Sequence, residues 1–153
     1  MKRSVVIALT CVLAGFAQSG SPTAKKVVFV CEHGAAKSVM ASAEFARLAR
    51  KHGLAVEVVT RGTNPDAEVG AAIRKNLLGD GMDIGSAKPL KVTAKDLKDA
   101  VAVVTFGPDL SSLLPKGTRA LDWSATPPPS QDYQAARKYI MAQLEKLVAD
   151  LQK

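Results

Sequence analysis

Val27-Val28-Phe29-Val30 is an unbroken run of β-branched and aromatic residues. It gives way at once to Cys31-Glu32-His33-Gly34-Ala35-Ala36-Lys37-Ser38, a small and polar stretch that opens a helical pattern. A strand with no polar alternation has to be covered on both faces, and in a short chain that means a parallel sheet packed between helices. The rest of the sequence keeps to this plan. Met40, Phe45, Leu48 and Ala49 mark a helix over Ala36–Lys51 that stops at His52-Gly53, and Ala55–Thr60 reads as a second strand. Val69, Ile73, Leu77 and Leu78 give a helical face within 66–79, ended by Gly79-Asp80-Gly81. Thr93 is placed to cap a short helix, Val101–Phe106 forms a third strand and Ala120–Trp123 a fourth. The closing helix, with Tyr133, Ala136, Ile140, Leu144, Leu147, Val148 and Leu151 at three- and four-residue steps, takes Ser130 as its cap after Pro127-Pro128-Pro129.

Strands joined through helices require right-handed crossovers. The expected fold is therefore α/β: a small doubly wound sheet of four parallel strands, with helices on both faces. Its 153 residues suffice for one domain, and no internal repeat or low-complexity segment argues otherwise. Residues 1–20 read as a cleavable export signal and 21–153 as the single folded domain. Lys2 and Arg3 precede an apolar run over Val5–Phe16, and Gly15-Phe16-Ala17 offers the small residues that a signal peptidase reads; cleavage is expected after Ala17 or Ser19. The run falls short of the ~20 apolar residues of a membrane span, so no stable span is expected after processing. The expected location is outside the cytoplasm, in the periplasm. There Cys31, without Cys11, has no partner cysteine in its own chain and must be free, capped or joined to another molecule.

Without Lys2 and Arg3 the chain has 19 basic and 14 acidic residues, a net of about +5 against +7 for the whole. Lys25, Lys26, Lys88, Lys91, Lys95 and Lys98 are scattered and lack the interleaved aromatics of a single-strand nucleic-acid groove, so no nucleic-acid partner is expected. The excess favours anionic ligands in general.

Ligands of doubly wound sheets bind beyond the carboxyl ends of the strands. That points to the loop 31–38. Small residues let its backbone curl, successive N–H groups converge on one centre, and the following helix N-terminus adds positive potential, so the loop reads as an oxyanion cradle built from Glu32, His33, Gly34, Ala35, Ala36 and Lys37. Cys31 at its rim reads as a nucleophile favoured in its thiolate form, against the alternative of a buried structural thiol. No cofactor and no metal are expected. A metal held by Cys31, Glu32 and His33 lacks a fourth ligand, because His52 is the one other histidine.

Val28-Phe29-Val30-Cys31, five residues, Lys37 and Ser38 resemble the phosphate loop of the low-molecular-weight protein tyrosine phosphatases and of the arsenate reductases that share their fold. Thr60-Arg61-Gly62-Thr63 and Val103-Val104-Thr105 extend the likeness. The resemblance implies a cysteinyl-phosphate chemistry in which Cys31 attacks phosphorus or arsenic, Ser38 hydrogen-bonds the thiolate and the loop amides hold the oxyanion. This chain departs from the family in two places. Lys37 stands where the signature Cys-x5-Arg-Ser has arginine, which removes a planar fork matched to two phosphate oxygens. The family's Asp-Pro acid falls in Ser124–Pro129, which contains no carboxylate; Asp122 and Asp132 flank it as candidate acids, or as a strand end and a helix-start residue. The resemblance also implies the strand order 2-1-3-4, in which Arg61 lies beside the first strand and either supplies the missing guanidinium or is a turn arginine. His33 either sits over the anion or faces solvent. The expected activity is slow phosphomonoester hydrolysis, with phosphotyrosine as one candidate substrate. The alternative is a non-catalytic binder of phosphate, arsenate or a phosphorylated ligand. Thioredoxin-type arsenate reduction is disfavoured because it needs further cysteines.

Overall fold

The structure, a computed structural model, describes residues 24–153. The export segment expected over 1–20 therefore lies outside the described residues. Eight elements follow in the order β1 (Lys25–Cys31), α1 (Lys37–Lys51), β2 (Val56–Gly62), α2 (Ala71–Gly79), α3 (Ala94–Leu97), β3 (Ala100–Thr105), β4 (Ala120–Asp122) and α4 (Tyr133–Leu151). The strands form one sheet in the order β2-β1-β3-β4, and all three pairings are parallel. This is the expected doubly wound α/β architecture.

β1 is the central strand and shows how the apolar run dictates the layering. Its side chains alternate, so Val27, Phe29 and Cys31 join the larger apolar cluster while Val28 and Val30 join the smaller one. On the first face lie α1, α2 and α4, whose Phe45, Ile73, Leu77, Ile140 and Leu144 pack onto the sheet. Phe29 meets Phe45 edge-on at 5.6 Å, and Trp123 bridges Phe29 and Phe106 at 6.0 and 5.8 Å. The second face is covered more thinly, by Val92, by Leu97 of α3 and by Leu110. Among the described residues no helix is long and apolar enough to cross a membrane.

One charged group is enclosed in the helical layer. Glu44 of α1, 1% exposed, accepts hydrogen bonds from Arg47 (Nε 3.0 Å, Nη2 2.5 Å) and from Arg137 Nε of α4 at 2.5 Å. Arg137 Nε also lies 3.4 Å from Asp80, the residue that ends α2, and Tyr133 donates its hydroxyl to the same Asp80 carboxylate at 2.8 Å. The buried carboxylate thus joins three helices through paired charges.

Two expectations need correction. The second helix does not begin at Asp66 but at Ala71, because backbone N–H groups of 63–70 are tied to carbonyls of the loop after β1. Pro65 disfavours helical geometry in Asn64 before it. The closing helix is capped by Asp132, whose carboxylate accepts from Ala135 N–H at 2.9 Å, rather than by Ser130. Thr93 does cap α3, in a reciprocal box with Asp96.

Candidate functional site

β1 ends at Cys31 and α1 begins at Lys37, which leaves five residues to turn the chain at the carboxyl edge of the sheet. The outer side of this turn is tied down by 63–70. Thr63, Asn64, Asp66 and Gly70 donate their N–H groups to the carbonyls of Cys31, Glu32, His33 and Ala35, at 3.1, 2.8, 3.0 and 3.4 Å. None of the described peptide bonds is cis. In a trans peptide the N–H points opposite to the carbonyl of the same unit. Anchoring those four carbonyls outward therefore turns the N–H groups of Glu32, His33, Gly34 and Ala36 inward. Gly34 shows the result directly, since its N–H donates to Cys31 Sγ at 3.2 Å.

Glycine is needed at two places for this arrangement. Gly34 takes φ of +61°, a left-handed conformation that favours glycine. Gly62, at the end of β2, lies so close to the loop that a Cβ there would meet Gly34 N at 2.7 Å and Glu32 O at 2.9 Å, both backbone atoms. The position of Gly62 is itself fixed by an isolated parallel bridge to Lys91, with Gly62 N–H donating to Leu90 O and Val92 N–H to Gly62 O, each at 2.8 Å.

Cys31 is buried, and its sulfur lies 3.0 Å from the hydroxyl of Ser38, which is fully enclosed in the first turn of α1. Ser38 Oγ and Gly34 N–H thus both address the sulfur. The N-terminus of α1 has no side-chain cap and no acidic residue in its first turn, so its amides and partial positive charge are left for another anion. A cavity of about 220 Å³ opens here, lined by Cys31, Glu32, His33, Ala36, Lys37 and Phe106. The structure therefore brings Cys31, Lys37, Ser38 and the loop residues Glu32 to Ala36 together.

The remaining expected residues lie elsewhere. Arg61 points its guanidinium to α3: Nε and Nη2 lie 3.0 and 2.7 Å from Asp96 Oδ1, and Nη1 donates to Thr60 O at 2.8 Å. It does not take the place of the arginine missing at Lys37, because Asp96 holds it on the other side of the strand. The Asp96 carboxyl is partly desolvated, which opposes its charge, but hydrogen bonds from Thr93 and Arg61 outweigh that and hold it below the ordinary aspartate range. Asp122 accepts from Ser124 N–H at 2.8 Å and lines a separate cavity of about 310 Å³ with Gly107, Pro108 and Asp109. Asp132 is engaged as the cap of α4. Neither aspartate lines the cavity that holds Cys31.

Sequence reasoning missed Asp66. Its carboxylate lies 3.2 Å from His33 Nδ1, and both residues line a larger cavity of about 660 Å³, beside the first, with Ala36, Pro129 and Tyr133. The signal available was Asn64-Pro65-Asp66 itself, a turn pattern rather than a helix start. Among the described residues no group of three or more His, Cys, Asp or Glu is arranged to hold a metal ion. His52 is at the far end of α1 from the loop.

The fold and loop have clear counterparts. An arsenate reductase of Corynebacterium glutamicum, described as thioredoxin-dependent, is 27% identical with a TM-score of 0.71; the match covers 84% of this chain and 62% of that one. The chain thus spans less than two thirds of that reductase. YfkJ from Bacillus subtilis superposes with a TM-score of 0.75 at 19% identity, over 87% of this chain and 98% of that one. A protein tyrosine phosphatase from Entamoeba histolytica gives 0.74 at 17%, over 84% and 96%. No curated protein matches the sequence. Residues 26–120, more than half of the chain and including all of the loop, match the family described as low molecular weight phosphotyrosine protein phosphatase, and the chain belongs to that family.

Proposed function

We propose that the protein is a phosphomonoesterase that works through a cysteinyl-phosphate on Cys31. One observation supports this above the others: the loop carbonyls are fixed outward by 63–70 while the Gly34 N–H points at the Cys31 sulfur. Such a frame places donors around the phosphoryl oxygens before the substrate arrives, which is the largest single contribution in most reactions of this type. Sγ attacks phosphorus, the bond to the leaving oxygen breaks, and water later releases phosphate from sulfur. Ser38 stabilises the thiolate as it departs in the second step. Lys37 supplies one positive charge at the cavity wall, without the fork of an arginine.

Two features of the relatives bear on the substrate. One neighbour is an arsenate reductase in the phosphate-binding state, and another is an arginine phosphatase whose active-site serine mutant is phosphorylated. Phosphate and arsenate fit the same cradle. Cys31 is the one free cysteine among the described residues, which favours phosphoryl transfer over a reductase cycle that resolves its adduct with further thiols of the same chain. Action in the periplasm after export belongs to this proposal and is supported by the sequence of residues 1–20 alone.

The test is a quenched reaction with an aryl phosphate labelled in its phosphoryl group. Label is expected on the wild-type chain and not on Cys31→Ala. Lys37→Arg is expected to speed its appearance by about tenfold or more, the effect of ~1.4 kcal/mol in the barrier. Saturable phosphate binding with no label in either protein would instead favour a non-catalytic oxyanion receptor, the reading that the lysine and the missing Asp-Pro acid support.

A further inference from the structure

A phosphatase of this design needs a proton for the leaving oxygen, and Ser124–Pro129 has no carboxylate to give it. Asp122 and Asp132 are engaged elsewhere. The side chain that reaches both cavities with a transferable proton is His33. It lines the cavity of Cys31 and Lys37 and also the larger one beside it.

A carboxylate lies near each nitrogen of the His33 ring. Asp66 Oδ1 lies 3.2 Å from Nδ1, an ion-pair distance that sets a carboxylate against that side of the ring. Nε2 lies 3.8 Å from Glu32 Oε2, too long for a hydrogen bond. The other ionisable groups that share these cavities are Cys31, Lys37 and Tyr133. Asp66 is held beside His33 by its own backbone, since its N–H donates to His33 O at 3.0 Å.

We infer that His33 is the general acid and then the general base of this active site, with Asp66 as its positioning residue. The inference rests on the phosphatase reading above. In the first step the Sγ electron pair forms the S–P bond. The P–O bond breaks with its pair going to the leaving oxygen, and that oxygen takes the Nε2 proton of the imidazolium. The ring is left neutral, with its remaining proton on Nδ1. In the second step water attacks phosphorus, its proton passes to Nε2, and the S–P pair returns to sulfur as inorganic phosphate leaves. Each proton given is taken back, and no outside reactant but water is needed.

The experiment measures the first-step burst for a series of aryl phosphates that runs from phenyl to 2,4-dinitrophenyl phosphate. A general acid matters most when the leaving oxygen is basic. His33→Gln is expected to slow phenyl phosphate by about 10²-fold or more while changing the dinitrophenyl ester less than about threefold. Asp66→Asn is expected to show the same selectivity at smaller amplitude, with an unchanged far-UV circular dichroism spectrum in both variants as a check on the fold. An equal loss across the series, or no loss in His33→Gln, overturns the assignment while phosphate is still trapped on Cys31. Absence of any trapped phosphate in the wild-type chain overturns the phosphatase reading itself, and the dyad with it.

Discussion

At the scale of single residues, the site depends on what is absent from a side chain as much as on what is present. Gly62 has no Cβ, and that vacancy lets β2 touch the backbone of the loop. Gly62→Ala forces backbone atoms apart and is expected to cost about 1–3 kcal/mol, read as a lower urea midpoint, and to weaken phosphate binding. Ser38→Ala removes the hydroxyl 3.0 Å from the sulfur without opening a route for water, because the position is fully enclosed. It is expected to slow release of phosphate from Cys31 more than its capture, so labelled chain accumulates. Cys31, Lys37 and Ser38 could be read from their order in the sequence alone. Asp66 and the true posture of Arg61 could not, because each is set by a partner distant in the chain: His33 across a loop for the first, Asp96 in α3 for the second.

At the scale of elements, the helical layer is tied together through Glu44. Arg137→Ala takes away one of its two partners and also the charge beside Asp80. The loss is expected to be on the order of 3 kcal/mol, at the low end for a broken buried pair because Arg47 remains. Glu44→Gln with Arg137→Ala is expected to recover part of it in a double-mutant cycle. All four strands and the long helices were legible in the sequence, the central strand from its unbroken apolar run and the helices from their three- and four-residue spacing. The start of α2 was not. A helical face at Val69, Ile73 and Leu77 predicts an earlier onset, but hydrogen bonds from 63–70 to the loop carbonyls offer those backbone groups a better use. Glu44 gave no warning either, for a single glutamate on a helix reads as surface until a second helix covers it.

For the whole molecule, the response to pH follows from groups whose proton affinity changes on folding. The carboxyls of Asp96, Asp109 and Asp150 are all held below the ordinary aspartate range: Asp109 mainly by the Ser111 N–H, and Asp150 mainly by Arg119. A depressed carboxyl stabilises the fold above its unfolded value of about 4 and loses that contribution as the pH falls through its folded value. Tyr133 moves the other way. Burial, with Asp80 beside it, raises its phenol well above the ordinary value. Its contribution is complete below about pH 10 and declines above that, as the unfolded chain begins to ionise while the folded one does not. Thermal denaturation followed across pH is therefore expected to weaken at both ends, with Asp96→Asn flattening the acid limb and Tyr133→Phe the alkaline one.

The bridge between Gly62 and Lys91 has a wider consequence. A parallel sheet with open borders invites strands from other molecules to add to it. Here one border is only Ala120–Asp122, three residues long, and the other is clasped by the chain's own residues 90–92 at the end nearest the anion site. The same clasp that seats the glycine under the loop thus shields the Cys31 end of the molecule from edge-to-edge association, so a substitution that loosens it is expected to be felt first as a tendency to aggregate, read by light scattering.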